Sequence, residues 1–155
     1  MGHQDWIRQA VALAVDNART GGGPFGAVVV KDGQVIATGV NRVTSSNDPT
    51  AHAEMVAIRG ACQALGRFQL TGCVIYSSCE PCPMCLGAIF WARPDGYYFA
   101  ATREAASQAG FDDEQIYREL TLKPEERSVR GSRMALDEAS RPFEEWARNP
   151  NKLAY

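Results

Sequence analysis

The sequence predicts a three-layer α/β sandwich around a mixed sheet. Three observations carry this. β-rich runs alternate with helical patterns along 155 residues, the mark of an α/β fold. Two of the runs, in "AVVVKDGQVIATG", are joined by Lys31-Asp32-Gly33, a strong hairpin signal that makes an antiparallel pair. Further on, a strand–helix–strand stretch supplies parallel neighbours. The length suits one domain, residues 1–155, with a real hydrophobic core.

The elements follow in order. Ile7, Val11, Leu13, Ala14 and Ala18 share one face at helical spacing, so the chain opens with a helix whose first residues, His3 among them, are expected to fray. "TGGGPFG" ends it, and the hairpin comes next. "NRVTSSNDPT" reads as a polar loop leading into the helix "AHAEMVAIRGACQALG", with Gly66 as its C-cap. "CVIYSS" is a buried strand. Cys82 falls at an N-cap and Pro83 at the first position of the helix "PMCLGAIFWAR", where a missing N–H costs nothing. "GYYFAA" is the last strand. Short helices are expected around Arg103–Ala109, Asp113–Leu120 and Pro142–Arg148. Trp91, Tyr97, Tyr98 and Phe99 are assigned to the core or to a dimer interface.

Bulk properties exclude some classes of function. Net charge is −2, with hydrophobic content of 45% and charged content of 22%. That balance carries no electrostatic footprint for nucleic acid. "KPEERSVRGSR" mixes both signs and reads as a solvated surface. No apolar run approaches the ~20 residues of a membrane span. Five cysteines, an odd number, without a secretion signal point to a reducing, cytoplasmic setting with free thiols.

The chemistry concentrates in two short motifs. His52-Ala53-Glu54 lies at the start of one helix, and "SSCEPCPMC" runs into the start of another. Each is ambiguous alone. Together they offer one imidazole and the two thiols of Cys82 and Cys85 at helix N-termini, where free N–H groups and the dipole favour anions. Nitrogen and sulfur donors in this number point to Zn2+. Three protein ligands leave a position for water, whose pKa zinc lowers from 15.7 toward ~7. Glu54, two residues from a ligand, is placed to handle protons beside it. The competing arrangement adds Cys79 as a fourth ligand and closes the site for a structural role. It gives Glu54 nothing to do, and Pro81 and Pro83 around Cys82 put Cys79 on the approach loop. Cys62 and Cys73 read as small buried hydrophobes.

The pair H-x-E and P-C-x-x-C resembles the signature of the zinc nucleobase deaminases, the cytidine-deaminase-like superfamily. Within it, "GGPFGAVVVKDG", "SNDPTAHAE", "SSCEPCPMCLGAIFWARP", "AGFDD" and the terminal "NKLAY" look most like the bacterial guanine deaminases. The resemblance covers almost the whole chain. It implies a five-stranded mixed sheet in an α/β/α sandwich and hydrolysis of guanine to xanthine and ammonia. It implies a homodimer in which segments of about residues 140–155 are exchanged, so that Tyr155 reaches the partner's pocket.

By the same resemblance, Glu54 and Asp113 are catalytic, and Phe25, Asn41, Ala53 and Tyr155 bind the purine base. Read from the residues alone, Phe25 is equally a core side chain, Asn41 a turn residue and Ala53 plain helix. Asp113 is equally a helix N-terminal acid, and Tyr155 a frayed end.

Three other readings compete. Related deaminations act on cytosine, guanosine, an amino-triazine such as ammeline, or adenosine in tRNA; the last needs a basic surface for RNA phosphates. A non-catalytic zinc-stabilised module would need a fourth ligand and tolerate loss of Glu54. A thiol redox protein would use Cys82 and Cys85 without His52.

Overall fold

The computed structural model describes residues 1–155. The chain forms two compact units, residues 1–113 and 114–155. The first begins with helix α1, His3–Arg19, followed by strands β1, Gly26–Lys31, and β2, Gln34–Val40. A short helix α2, Val43–Ser46, precedes helix α3, Ala53–Leu65. Strand β3, Cys73–Cys79, helix α4, Pro83–Ala92, strand β4, Gly96–Ala101, and helix α5, Arg103–Gln108, complete it.

The hairpin turn is as the sequence predicts. Asp32 and Gly33 both take positive φ, 51° and 72°, the requirement of a two-residue turn that matches strand twist. The sheet order is β2-β1-β3-β4, with β1 antiparallel to both β2 and β3, and β3 parallel to β4. The sheet therefore has four strands, not the five that the family resemblance implied. No β-rich run follows Ala101: residues 102–155 hold helices, 3-10 turns and a charged, Pro-containing stretch with no strand.

Strand alternation sorts the core into two layers. Val28, Val30 and Tyr76 face Trp6 and Ala10 of α1. Ala27, Val29, Cys73 and Ile75 face Ala57, Ile58 and Ala61 of α3 and Ile89 and Ala92 of α4. Helices thus cover both faces of the sheet, and every residue of β1 from Gly26 to Val30 is buried.

Three expectations are refined. His3 does not fray: it starts α1, its Nδ1 lies 2.8 Å from Tyr76 Oη, and its ring stands 4.3 Å from that of Tyr98. A partner 73 residues away is invisible to local pattern. Of the two places expected for Trp91, Tyr97, Tyr98 and Phe99, the core and a dimer interface, the core does not hold them: all four are exposed in the single chain, because β4 is an edge strand and α4 buries only one side. The loop "NRVTSSNDPT" also contains the one-turn helix α2.

The second unit holds helix α6, Glu114–Leu120, 3-10 turns at Pro124–Glu126 and Asp137–Ser140, and helix α7, Arg141–Arg148. Arg127 ties it internally by donating to the carbonyls of Glu119 and Leu122. None of the residues in its helices is buried.

One close approach sets the position of α3. A Cβ on Gly39 of β2 would fall 2.6 Å from Ala57 N, and it would press on the Ala53 carbonyl oxygen as well. The first turn of α3 rests directly on bare β2 backbone. Gly39→Ala should lower stability by about 1–3 kcal/mol in urea unfolding, and it should weaken metal retention because the residue after His52 is pushed away.

Candidate active site

Two helix starts converge here. His52 is the N-cap of α3 and Cys82 the N-cap of α4, both with extended backbone, and Pro83 occupies the first helical turn as the sequence predicts. N-cap positions usually carry Ser, Thr, Asp or Asn, whose side chains bond back to the helix. Neither side chain does so here. Both turn toward each other: His52 Nδ1 lies 3.5 Å from Cys82 Sγ and 3.5 Å from Cys85 Sγ. The three donor atoms all lie within 4.8 Å of one another.

Local turns deliver His52 to this point. Asp48 Oδ1 accepts from Thr50 N–H at 2.8 Å and from Thr50 Oγ–H at 2.7 Å. Arg42 N–H donates to Ala51 O at 2.9 Å. On the other side, Leu86 N–H donates to Cys82 O at 2.8 Å, closing the first turn of α4.

The donor spacing suits zinc. Bond lengths of about 2.0–2.1 Å to nitrogen and 2.3 Å to sulfur, at a tetrahedral angle, separate N from S by about 3.5 Å. Both observed separations match. The Cys85 thiol donates to Cys82, holding Cys82 far below the usual thiol range, with His52 as a further cause. Cys85 retains the proton and its pKa is raised by the Cys82 sulfur and by burial. His52 is raised, first by its bond to Cys82.

Cys79 stays outside the donor cluster. It ends β3 as strand, not as the approach loop expected, and its Sγ points to Thr102 O at 3.6 Å. Burial pushes its thiol up to about 11, so it is protonated at neutral pH. The cluster therefore has three protein donors and an open side.

Glu54 sits in the first turn of α3, only 5% exposed. Ser77 Oγ–H donates to its Oε1 at 2.6 Å. Ser77 is absent from the sequence-derived site. Its signal was there to find: on β3 it continues the Cys73 and Ile75 face, where a hydroxyl interrupts an apolar pattern.

The remaining candidates divide. Asp113 is half-buried before α6. Burial raises its pKa first, and the Cys82 charge adds to the rise. Ala53 is fully buried behind His52. Phe25 is half-buried against the core and meets Phe111 edge-on at 5.0 Å and 88°. Asn41 Oδ1 accepts from Val43 N–H at 3.2 Å, the turn role that its residue type allows.

Asn17, also unread in the sequence, donates from Nδ2 to Gly23 O at 2.8 Å and Asn41 O at 3.0 Å. It joins the ends of the segments carrying Phe25 and Asn41. Tyr155 lies in the second unit and is exposed.

The model of the cytidine and deoxycytidylate deaminase zinc-binding region matches residues 1–101. The chain belongs to this family. Guanine deaminase of Bacillus subtilis is 53% identical over the whole of both chains. Its crystal structure superposes with a TM-score of 0.98, at 52% identity, covering 100% of this chain and 99% of that one.

A solved guanine deaminase of Nitrosomonas europaea is 32% identical with a TM-score of 0.67, covering 70% of this chain and 63% of that one. A tRNA-specific adenosine deaminase of Agrobacterium fabrum is 48% identical over 57% of this chain and 61% of its own. Zinc is the metal of this family, and the three donors here suit it.

Metal analysis tests the open site. Cys79→Ser should keep one zinc per chain. Cys82→Ala or His52→Ala should lose zinc on dialysis, with affinity down by at least about a hundredfold, since each removes one of only three protein ligands. Zinc lost from Cys79→Ser as well would mean a closed, four-ligand site.

Proposed function

We infer that this chain is a zinc-dependent aminohydrolase that converts guanine and water to xanthine and ammonia. One observation carries the chemistry: a buried carboxylate, Glu54, stands beside an open cluster of one imidazole and two thiols. The substrate follows from the whole-length likeness to Bacillus subtilis guanine deaminase. Relatives acting on tRNA adenosine align over less of this chain, 57–68%, and the net charge of −2 gives RNA no general attraction.

His52, Cys82 and Cys85 hold the ion, and bound there zinc supplies a water activated to attack the carbon bearing the amino group. Glu54 takes a proton from the attacking water. Ionised, it only accepts; protonated, it gains one O–H to donate. It can therefore hand the same proton to the adjacent ring nitrogen. Asp113 contacts the amine and delivers the proton with which it leaves as ammonia, while Glu54 takes the proton that the added hydroxyl loses as it becomes the carbonyl; exchange with solvent then returns both carboxyls to their starting states.

Phe25 stacks on the base, a contact worth about 1–3 kcal/mol in comparable sites. Asn41 pairs with its edge. Its amide offers both a donor and an acceptor to that edge, since Oδ1 keeps a second lone pair beside the bond from Val43 N–H. Ala53, small and at the foot of α3, lets the base lie close to backbone.

The assembly we propose is a cytoplasmic homodimer that exchanges residues of about 140–155 and brings Tyr155 to the partner's base. Two features support it. Helix α4 is apolar around its circumference, yet Phe90 and Trp91 are 72% and 62% exposed, as at an interface. Within the second unit, Phe143, Trp146 and Leu153 are also exposed. No helix of the chain is long and apolar enough to cross a membrane.

Ammonia release from guanine, guanosine, cytosine, adenine, an amino-triazine and a tRNA anticodon stem should rank guanine first. Glu54→Gln should retain zinc and lose at least about a hundredfold in kcat. Full activity in that variant would sink the mechanism, and faster turnover of another substrate would replace the substrate assignment. Light scattering should give twice the 16.9 kDa chain mass. Truncation after residue 149 should raise KM for guanine; a monomer with unchanged KM would remove the exchanged tail.

A further inference from the structure

We propose that Ser77 is the positioning residue for the catalytic carboxylate: it engages Oε1 of Glu54 and leaves Oε2 as the working oxygen. The inference rests on the role given to Glu54 above. The Ser77 Oγ to Glu54 Oε1 distance is 2.6 Å, and the two residues are 1% and 5% exposed. That length falls in the range of charge-assisted O–H···O⁻ bonds, the strong class.

The placement of the hydroxyl is informative. Cys73 and Ile75, on the same face of β3, are fully buried against α3 and α4. An apolar side chain would continue that face. A hydroxyl there costs free energy unless it is bonded, and the bond it makes crosses 23 residues to the first turn of α3. Register supports the aim of the side chain: Ser77 pairs with Ala27 of β1 and Phe99 of β4, in the interior of the sheet. Its backbone is therefore fixed on both sides.

Glutamate has three rotatable side-chain bonds, so proximity alone does not orient it. Cysteine thiols cannot take over the task. Cys85, whose protonated thiol also meets Glu54 in the metal-free chain, has no S–H left to donate once it and Cys82 bind zinc as thiolates. Ser77 then remains the hydroxyl that holds Oε1, and the second oxygen keeps its lone pairs for the proton it must receive and return. Ser77 lies outside the family signature of His, Glu and two Cys.

The test compares zinc-loaded wild type, Ser77→Ala and Ser77→Thr. Ser77→Ala should lower kcat on guanine about tenfold to a hundredfold, the scale of a misplaced catalytic group. KM should stay within about twofold, because substrate contacts are untouched. Zinc content should remain one per chain, and Ser77→Thr, which restores the hydroxyl, should recover most of kcat. In the crystal structure of Ser77→Ala the Glu54 carboxylate should leave its wild-type position.

An unchanged kcat with Glu54 in place would overturn the proposal. So would a kcat loss accompanied by loss of zinc, which would make Ser77 a packing residue. If wild type fails to deaminate guanine, the substrate assignment falls. The two crystal structures still decide whether Ser77 holds Glu54.

Discussion

Everything chemical in this chain depends on bringing two helix N-termini within a few ångströms of each other. His52 and Cys82 occupy the N-cap positions of α3 and α4, yet neither caps its own helix. Each side chain that would normally satisfy a local N–H is spent on a long-range cluster. The helices are held by other means: Pro83 needs no N–H partner, Asp48 and Arg42 brace the approach to His52, and the buried faces of both helices pack on one side of the sheet. Local stability is given up where the site needs free donors, and packing replaces it.

The sheet is the ruler for this convergence. β1 is buried along its length, with antiparallel neighbours on both edges. Gly39 on β2 lets α3 settle onto the strand at Ala53 and Ala57, which sets the height of His52 and Glu54. β3 leads to Cys82 and carries Ser77 beneath Glu54. Strands β2 and β3 thus each fix one part of one site, with β1 holding them in register between. This explains how a 155-residue chain with mostly small core side chains, Ala10, Ala27, Ala57 and Ala61 among them, can hold a cluster of polar groups inside. Small residues permit short distances between layers.

Cysteine shows how environment divides one residue type into several. Cys85 donates to Cys82, and both sulfurs face His52. Cys79, only three residues before Cys82, is driven up by burial and turns to a backbone carbonyl. Cys73 is core, and Cys62 is half-buried beside it. Spacing on the chain suggested four possible ligands; the end of β3 separates the fourth from the other three.

The sequence alone determined the four strands and the main helices, the hairpin turn, the N-cap at Cys82 and the C-cap at Gly66, because these follow from backbone rules that act over a few residues. It also named His52, Glu54, Cys82 and Cys85, because ligand chemistry restricts residue type sharply. It could not show His3 against Tyr76, Asn17 across Gly23 and Asn41, or Ser77 on Glu54. Those bonds join residues that are distant along the chain or on separate elements, and no local period encodes them. The fifth strand failed for a related reason: it came from likeness to relatives, while residues beyond Ala101 carry no β-rich run. Only the tertiary structure decided which polar groups meet, because burial makes each of them find a partner and the fold alone determines who is within reach.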